Sequence, residues 1–243
     1  MGKNRPCRGD PRRGVLTDEA RRAFFGRRKG HRLRPRQAAL IAELLPRLAL
    51  DLTRPAPDDL SALFADQVDE VRLEIGFGGA EHLIAQSSTN PRVGFVGCEP
   101  FVNGMAKALS EIAARGLANI RLHLGDAISV IDWLPPHSIG AIDLLYPDPW
   151  PKRRHWKRRF VQAARLAAAA RILRPGGDFR FATDSADYAA WTLLRFLESR
   201  HFIWTAERAD DWRCPWPEFV RTRYEHKARR EGRAPCYLVF RRC

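Results

Sequence analysis

The sequence predicts an α/β fold: a doubly wound, mostly parallel seven-stranded sheet with one antiparallel strand. Three observations predict it. Short apolar runs alternate with helical patterns from Val71 to the C-terminus. Most of those runs end at a glycine or a carboxylate, the residues that open a strand-to-helix connection. The final two runs, at 202–205 and 236–240, lack a crossover helix of the usual kind and therefore pair as an antiparallel hairpin.

The elements follow in order. Residues 1–33 read as a basic, partly disordered arm, and 34–243 as one folded domain. Residues 35–50 carry Leu40, Leu44 and Leu48 at helical spacing, with Pro46 as a break. Residues 55–59 form a linker. Strands are expected at 71–75, 93–98, 120–124, 142–145 and 179–182, before the closing pair. Helices are expected to begin at 79 and to cover 101–115, 127–134, 156–173 and 185–199. The alanine-rich helix at 156–173 meets the stop signal Arg174-Pro175-Gly176-Gly177. There is no internal repeat.

Composition narrows the function classes. The chain has 243 residues, 45% of them hydrophobic, so it can bury a core. Its formal net charge is +14, a field that favours a polyanion, nucleic acid first and an anionic membrane surface second. Between Met1 and Arg36 there are 13 Lys and Arg against 3 Asp and Glu, and Phe24 and Phe25 sit beside the basic residues. That arrangement suits RNA contact or docking onto the core better than simple solvation. No apolar run approaches the roughly 18 residues of a membrane span. The N-terminus lacks the apolar centre of a secretion signal. Five scattered cysteines with no C-x-x-C pair speak against a disulfide framework and against a structural metal site. A reducing, cytoplasmic setting is expected.

The chain is organised around residues 141–159. The apolar run there stops at Tyr146-Pro147-Asp148-Pro149-Trp150-Pro151, where three prolines enforce a rigid extended loop. Six of the following eight residues are Lys or Arg. One carboxylate and one large aromatic on a rigid loop, beside a cationic run, can hold a flat polar ring while its attached polyanion is gripped alongside. Arg154, Lys157, Arg158 and Arg159 are the candidate phosphate ligands.

In open α/β sheets, ligands sit beyond the carboxyl ends of the strands. Five successive strand ends each present an acid: Glu74, Glu99, Asp126, Asp148 and Asp184. Taken singly, Asp126 or Asp184 would also suit a helix N-cap, but that does not account for all five. The turn Gly76-Phe77-Gly78 lets backbone approach a ligand closely, while Glu81 at the helix start disfavours a pyrophosphate. Glu99 stands 23 residues past Gly76, the spacing that sets a carboxylate against a ribose diol. Asp126 can accept from an adenine amino group. An acidic, phosphate-free pocket fits a cationic adenosine cofactor, S-adenosylmethionine, with no metal.

At these residues the sequence resembles the bacterial tRNA (guanine-N7-)-methyltransferases. The likeness is carried by Glu74-Ile75-Gly76-Phe77-Gly78, Gly97-Cys98-Glu99, Gly125-Asp126-Ala127, the proline-rich basic string, Ala182-Thr183-Asp184 and Thr222-Arg223-Tyr224-Glu225. The resemblance implies a class I methyltransferase-like fold and methyl transfer to N7 of a guanosine in the tRNA variable loop. It implies that Glu74, Gly76, Gly78, Glu99, Asp126, Ala127 and Asp148 line the cofactor site. It implies that Lys152, Asp184, Thr222, Arg223, Tyr224 and Glu225 contact the substrate, and that Arg154, His155, Trp156, Lys157, Arg158 and Arg159 contact RNA. Asp148 is the candidate catalytic residue, tRNA the expected partner, with no obligate protein partner inferred. The family commonly has glycine where this chain has Ala80, and the stretch after Glu225 also differs from the commonest family form. Two alternatives stay open at this stage: methylation of an exocyclic amine, whose enzymes carry an Asn/Asp-Pro-Pro-aromatic loop, and an inactive RNA-binding module.

Overall fold

The computed structural model describes Gly26 and residues 28–243. The rest of the expected basic arm, including Phe24 and Phe25, lies outside the described residues. Seven strands form one sheet: β1 Glu70–Ile75, β2 Val93–Cys98, β3 Ile120–His123, β4 Ile139–Leu145, β5 Leu173–Thr183, β6 Phe202–Trp204 and β7 Cys236–Arg242. The spatial order is β3-β2-β1-β4-β5-β7-β6. Five strands pair in parallel, and β7 runs antiparallel between β5 and β6. The expected single antiparallel strand is therefore β7.

The helices are α1 Pro35–Glu43, α2 Leu45–Leu48, α3 Glu81–Thr89, α4 Val102–Arg115, α5 Ala127–Trp133, α6 Ala163–Ile172, α7 Ala186–Leu197, α8 Asp210–Arg213 and α9 Arg223–Arg230. Two apolar cores form on them. One joins Leu83, Ile84, Met105, Leu109 and Ile112 of α3 and α4 to Leu48 and the sheet. The other joins α5, α6 and α7 to the sheet through Val130, Ile131, Leu166, Ile172, Tyr188 and Phe196. Neighbours on β2 divide between them, Phe95 entering the first and Val96 the second, as the two-residue period of a strand requires.

Several boundaries differ from expectation for physical reasons. The basic string does not enter α6. It forms a 3-10 turn, Arg153–Arg158, and the helix begins only after the Gln162 N-cap. The fully buried Arg159 separates the two. The Arg174-Pro175-Gly176-Gly177 signal does end the helix, yet strand pairing starts earlier, at Ile139 with Leu173. Register shifts before Ala141 pairs with Asp178, so the Pro-Gly-Gly segment is accommodated as an irregularity inside β5. Pro46 falls in the first turn of α2, where its missing N–H costs no helical bond. The late helices α8 and α9 were not expected.

The β6–β7 edge is held by a cluster of phenylalanines. Phe196 of α7 stacks on Phe240 of β7 at 3.7 Å between ring centroids and meets Phe179 and Phe202 at 5.1 and 5.0 Å. Its side chain is fully buried. Phe196→Ala is expected to lower unfolding free energy by about 3–5 kcal/mol, read from denaturant titration, with the midpoint shifted and the slope kept.

Candidate active site

Strand order reverses between β1 and β4, whose ends lie side by side with Ile75 opposite Leu144. The connection after β1 leads away to β2, and the connection after β4 leads away to β5. A crevice therefore opens beyond the two strand ends. It is a cleft of about 430 Å³ walled by Ile75, Gly76, Gly78, Glu99, Asp126 and Asp148, with Phe101, Tyr146, Trp150, Arg158, Arg165 and Tyr224 completing it.

The glycine turn forms one wall. Gly76 has φ +69° and Gly78 φ +55°, conformations open to glycine at little cost. Ala80 adopts φ +65° at the start of α3. The turn is fixed by Glu99, which is 6% exposed. Its Oε2 accepts from the Gly78 amide at 2.6 Å and its Oε1 from the Phe101 amide at 2.9 Å. Burial raises the Glu99 carboxyl above the ordinary range, against the lowering effect of those two amides. Gly104 of α4 is the residue that permits this closeness: a Cβ there would lie 2.3 Å from the Gly78 carbonyl oxygen. The chain N-terminal to α1 docks at the same place. Val102 donates to the Arg28 carbonyl at 3.0 Å, and Asn103 bonds both the Gly30 amide and the His31 carbonyl at 2.8 Å. Gly26 consequently reaches the cleft.

The proline loop forms the other wall. Tyr146 opens it at φ +49° and Trp150 follows at φ +43°, both left-handed and each costing on the order of 1–3 kcal/mol for a non-glycine residue. The Tyr146 amide donates to the Ala182 carbonyl at 2.7 Å. Asp148 opens to solvent on one side and to the cleft on the other, and its partial dehydration raises its carboxyl above the ordinary range. The Trp150 indole lies 4.8 Å under the Arg158 guanidinium, with His155 edge-on at 5.7 Å.

Of the five acids expected on one rim, Glu99, Asp126 and Asp148 line the cleft. Asp126 is also the N-cap of α5, accepting from the Ile128 amide at 3.0 Å, so both readings of that residue hold at once. Ala127 is buried behind it. Glu74 stands apart from the cleft lining. Side chains alternate along β1, and the residue before Ile75 faces α3 rather than the cleft. Glu74 there meets His82 Nδ1 at 3.0 Å, both nearly inaccessible, beside the buried Arg180 and Asp143 pair. Asp184 also lies outside the cleft lining and pairs with Arg233 at 2.6 Å.

The basic string divides in the same manner. Lys152, Arg154 and Lys157 are exposed, His155 and Trp156 half-buried, and Arg158 lines the cleft. Arg159, expected on phosphate, is 0% exposed. It sits among Trp156, Tyr188 and Trp191 at 5.0, 5.0 and 5.2 Å, pairs with Asp187, and donates to the Pro149 carbonyl at 2.9 Å. It anchors the proline loop from within. In the 222–225 segment, Thr222 is the buried N-cap of α9 and Glu225 is fully buried, while Tyr224 lines the cleft and Arg223 faces Glu81 at 4.0 Å. Sequence reasoning missed Phe101, Tyr146 and Arg165 in the wall. Tyr146 was discoverable, since it directly follows a strand end, and so was Phe101, which follows one by three residues and caps the next helix. Arg165 on an alanine-rich helix gave no signal.

This sheet order, with its antiparallel β7 and an acid-lined crevice at the switch point, defines a class I methyltransferase. Solved structures agree on the fold: the 16S rRNA methyltransferase KamB superposes with TM-score 0.52 at 19% identity, covering 78% of this chain and 96% of that one. TrmN from Thermus thermophilus superposes with TM-score 0.52 at 17% identity, covering 76% of this chain and 48% of that one. Residues 69–238 match a family model described as a putative methyltransferase. The tRNA (guanine-N(7)-)-methyltransferase of Rhodopseudomonas palustris strain BisB18 is 60% identical over 94% of this chain and 91% of its own length. That of Bradyrhizobium diazoefficiens is 57% identical over 93% and 95%. The chain belongs to the tRNA (guanine-N(7)-)-methyltransferase family.

The Glu74–His82 pair has a consequence for stability. Burial alone would lower the His82 pKa, but the Glu74 carboxylate outweighs it and the net direction is upward from 6.5. Burial raises Glu74 as well. A raised folded-state pKa contributes stability that is present below the unfolded value and lost as pH rises through the folded one. Unfolding free energy is therefore expected to fall as pH climbs above about 6.5, by about 1.4 kcal/mol for each unit of upward shift, and the melting temperature to fall with it. His82→Gln should flatten that slope in a pH series of thermal melts.

Proposed function

We propose that the protein transfers a methyl group from S-adenosylmethionine to N7 of a guanosine in the tRNA variable loop. The observation that carries this reading is the presence of Asp148 and Trp150, on their rigid loop, in the same cleft as Glu99 and Asp126. The names of the relatives support the substrate and the atom.

The cleft suits the cofactor. A Cβ on Gly76 would meet nothing within 4 Å, so this turn leaves bare backbone facing open space. Glu99 keeps lone pairs beyond its two amide bonds for a ribose diol, and Asp126 keeps one oxygen beyond its cap for an adenine amino group. S-adenosylmethionine supplies an electrophilic methyl group on a sulfonium. Guanine N7 has a free lone pair and no proton to lose, so no side chain need serve as a general base. The work of the chain is alignment. Asp148 accepts from the N–H edge of guanine and offsets the positive charge that grows on the ring. Trp150 offers a face for the base, with Tyr224 across the glycine turn. Lys152, Arg154, Lys157 and Arg158 hold the backbone phosphates. Residues 34–243 form the methyltransferase domain, and the basic arm before them adds RNA contact. A tRNA substrate places the protein in the cytoplasm.

The test is methyl transfer from labelled cofactor to unmodified tRNA, mapped by cleavage at 7-methylguanosine, with a variable-loop guanosine-to-adenosine tRNA as control. Label at that guanosine, lost in the control, is expected; label elsewhere would overturn the substrate assignment. Asp148→Ala should lower kcat by roughly 10²–10³ and leave the tRNA Kd within a few-fold. Equal losses in both would sink its proposed role. Affinity for tRNA should also drop by roughly a thousandfold between 50 and 200 mM salt if about six phosphates are held. A binding isotherm insensitive to salt would remove the basic string from the RNA site.

A further inference from the structure

Glu225 is fully buried, and it is bound to a residue of the cleft wall. Its carboxylate is 0% exposed and makes four contacts. Oε2 accepts from the Tyr146 hydroxyl at 3.0 Å, and Oε1 accepts from the Tyr237 hydroxyl at 2.8 Å. Arg229 donates to Oε1 at 2.9 Å, and Arg221 lies 3.3 Å away. Arg229 also donates to the Tyr237 hydroxyl at 3.2 Å. Two guanidiniums thus balance one buried carboxylate, whose remaining capacity is spent on two phenols.

The residues flanking Glu225 on α9 point the other way. Tyr224 lines the cleft so close to the glycine turn that a Cβ on Gly78 would come within 3.0 Å of its ring. One turn of helix therefore stands over the cofactor wall on its outer side and grips the proline loop on its inner side. Tyr146, the residue gripped, is two positions before Asp148 and holds a left-handed backbone that non-glycine residues seldom adopt.

We propose that Glu225 is a positioning residue that, through the Tyr146 hydroxyl, locks the proline loop to α9 and so sets Asp148 against the glycine turn. The proposal rests on the reading of the cleft given above. It assigns to Glu225 an internal role beside the substrate contact that family resemblance implied.

The experiment uses full-length protein with Glu225→Gln, Tyr146→Phe and the double variant. Steady-state kinetics on tRNA should show kcat down by about 10–100-fold in each single variant, with KM for tRNA within about threefold. The double variant should be no slower than Glu225→Gln, because the two changes remove one interaction. Backbone deuterium exchange should show the Tyr146 amide, which bonds the Ala182 carbonyl at the start of the loop, losing at least tenfold in protection, with β1 and β4 unchanged. A rise in KM with kcat retained, additive losses in the double variant, or unchanged exchange in the loop would each overturn the proposal. Tyr146→Phe carries the test alone if Glu225→Gln does not fold. Absence of methyl transfer by the wild type would instead overturn the functional reading, and the exchange measurement would still decide the positioning role.

Discussion

A crevice at a switch point exists because two parallel strands lie side by side while their connections leave in opposite directions. Here β1 and β4 meet that condition, with Ile75 beside Leu144. No helix can cover the ends of both strands, so the backbone there must be finished by turns. One is the glycine turn fixed by Glu99, the other the proline loop that starts at Tyr146. Each functional side chain in the cleft belongs to one of these turns or to the start of an element packed on them. The placement of Gly104 under Gly78 shows how tightly the first turn is pressed against α4.

The second constraint is the handling of charge within the molecule. A chain with net charge +14 spends several of its ionisable residues inside. Arg159 lies among three aromatic rings and holds the Pro149 carbonyl. Glu225 is surrounded by two arginines and two tyrosines. Glu74 is matched to His82. Leaving any of these unpaired would cost several kcal/mol, so each is paired, Glu74 within the neighbouring helix and Arg159 and Glu225 with residues from distant parts of the chain. Two of them, Arg159 and Glu225, bond the proline loop from behind. Its three prolines restrict the backbone torsions, and these internal charges hold its location.

The outer surface is left to the remaining cations. Lys152, Arg154 and Lys157 project from the 3-10 turn beside Trp150. Their proximity to the loop sets a cationic surface beside the carboxylate and the indole of the cleft wall. Among the described residues no helix is long and apolar enough to cross a membrane.

The amino-acid order alone determined the order of the strands and of the helices through α7, the antiparallel strand, the glycine turn, and the positions of Glu99, Asp126 and Asp148 at the cleft. These are local: strand periodicity, turn residues and the position after a strand end are set by near neighbours. Tertiary structure alone decided which charged residues face inward. Glu74 differs from Ile75 only by strand parity, and Arg159 differs from Arg158 only by the cage that Tyr188 and Trp191 build around it from 29 and 32 residues away. Glu225 finds its partner Tyr146 across 79 residues. The short helix that presents Tyr224 was likewise hidden, because its sequence is largely charged and only Glu225 and Ala228 within it are buried, which leaves no apolar stripe to read. Burial of a charge depends on partners gathered from across the chain, and no local pattern of residues records where those partners will meet.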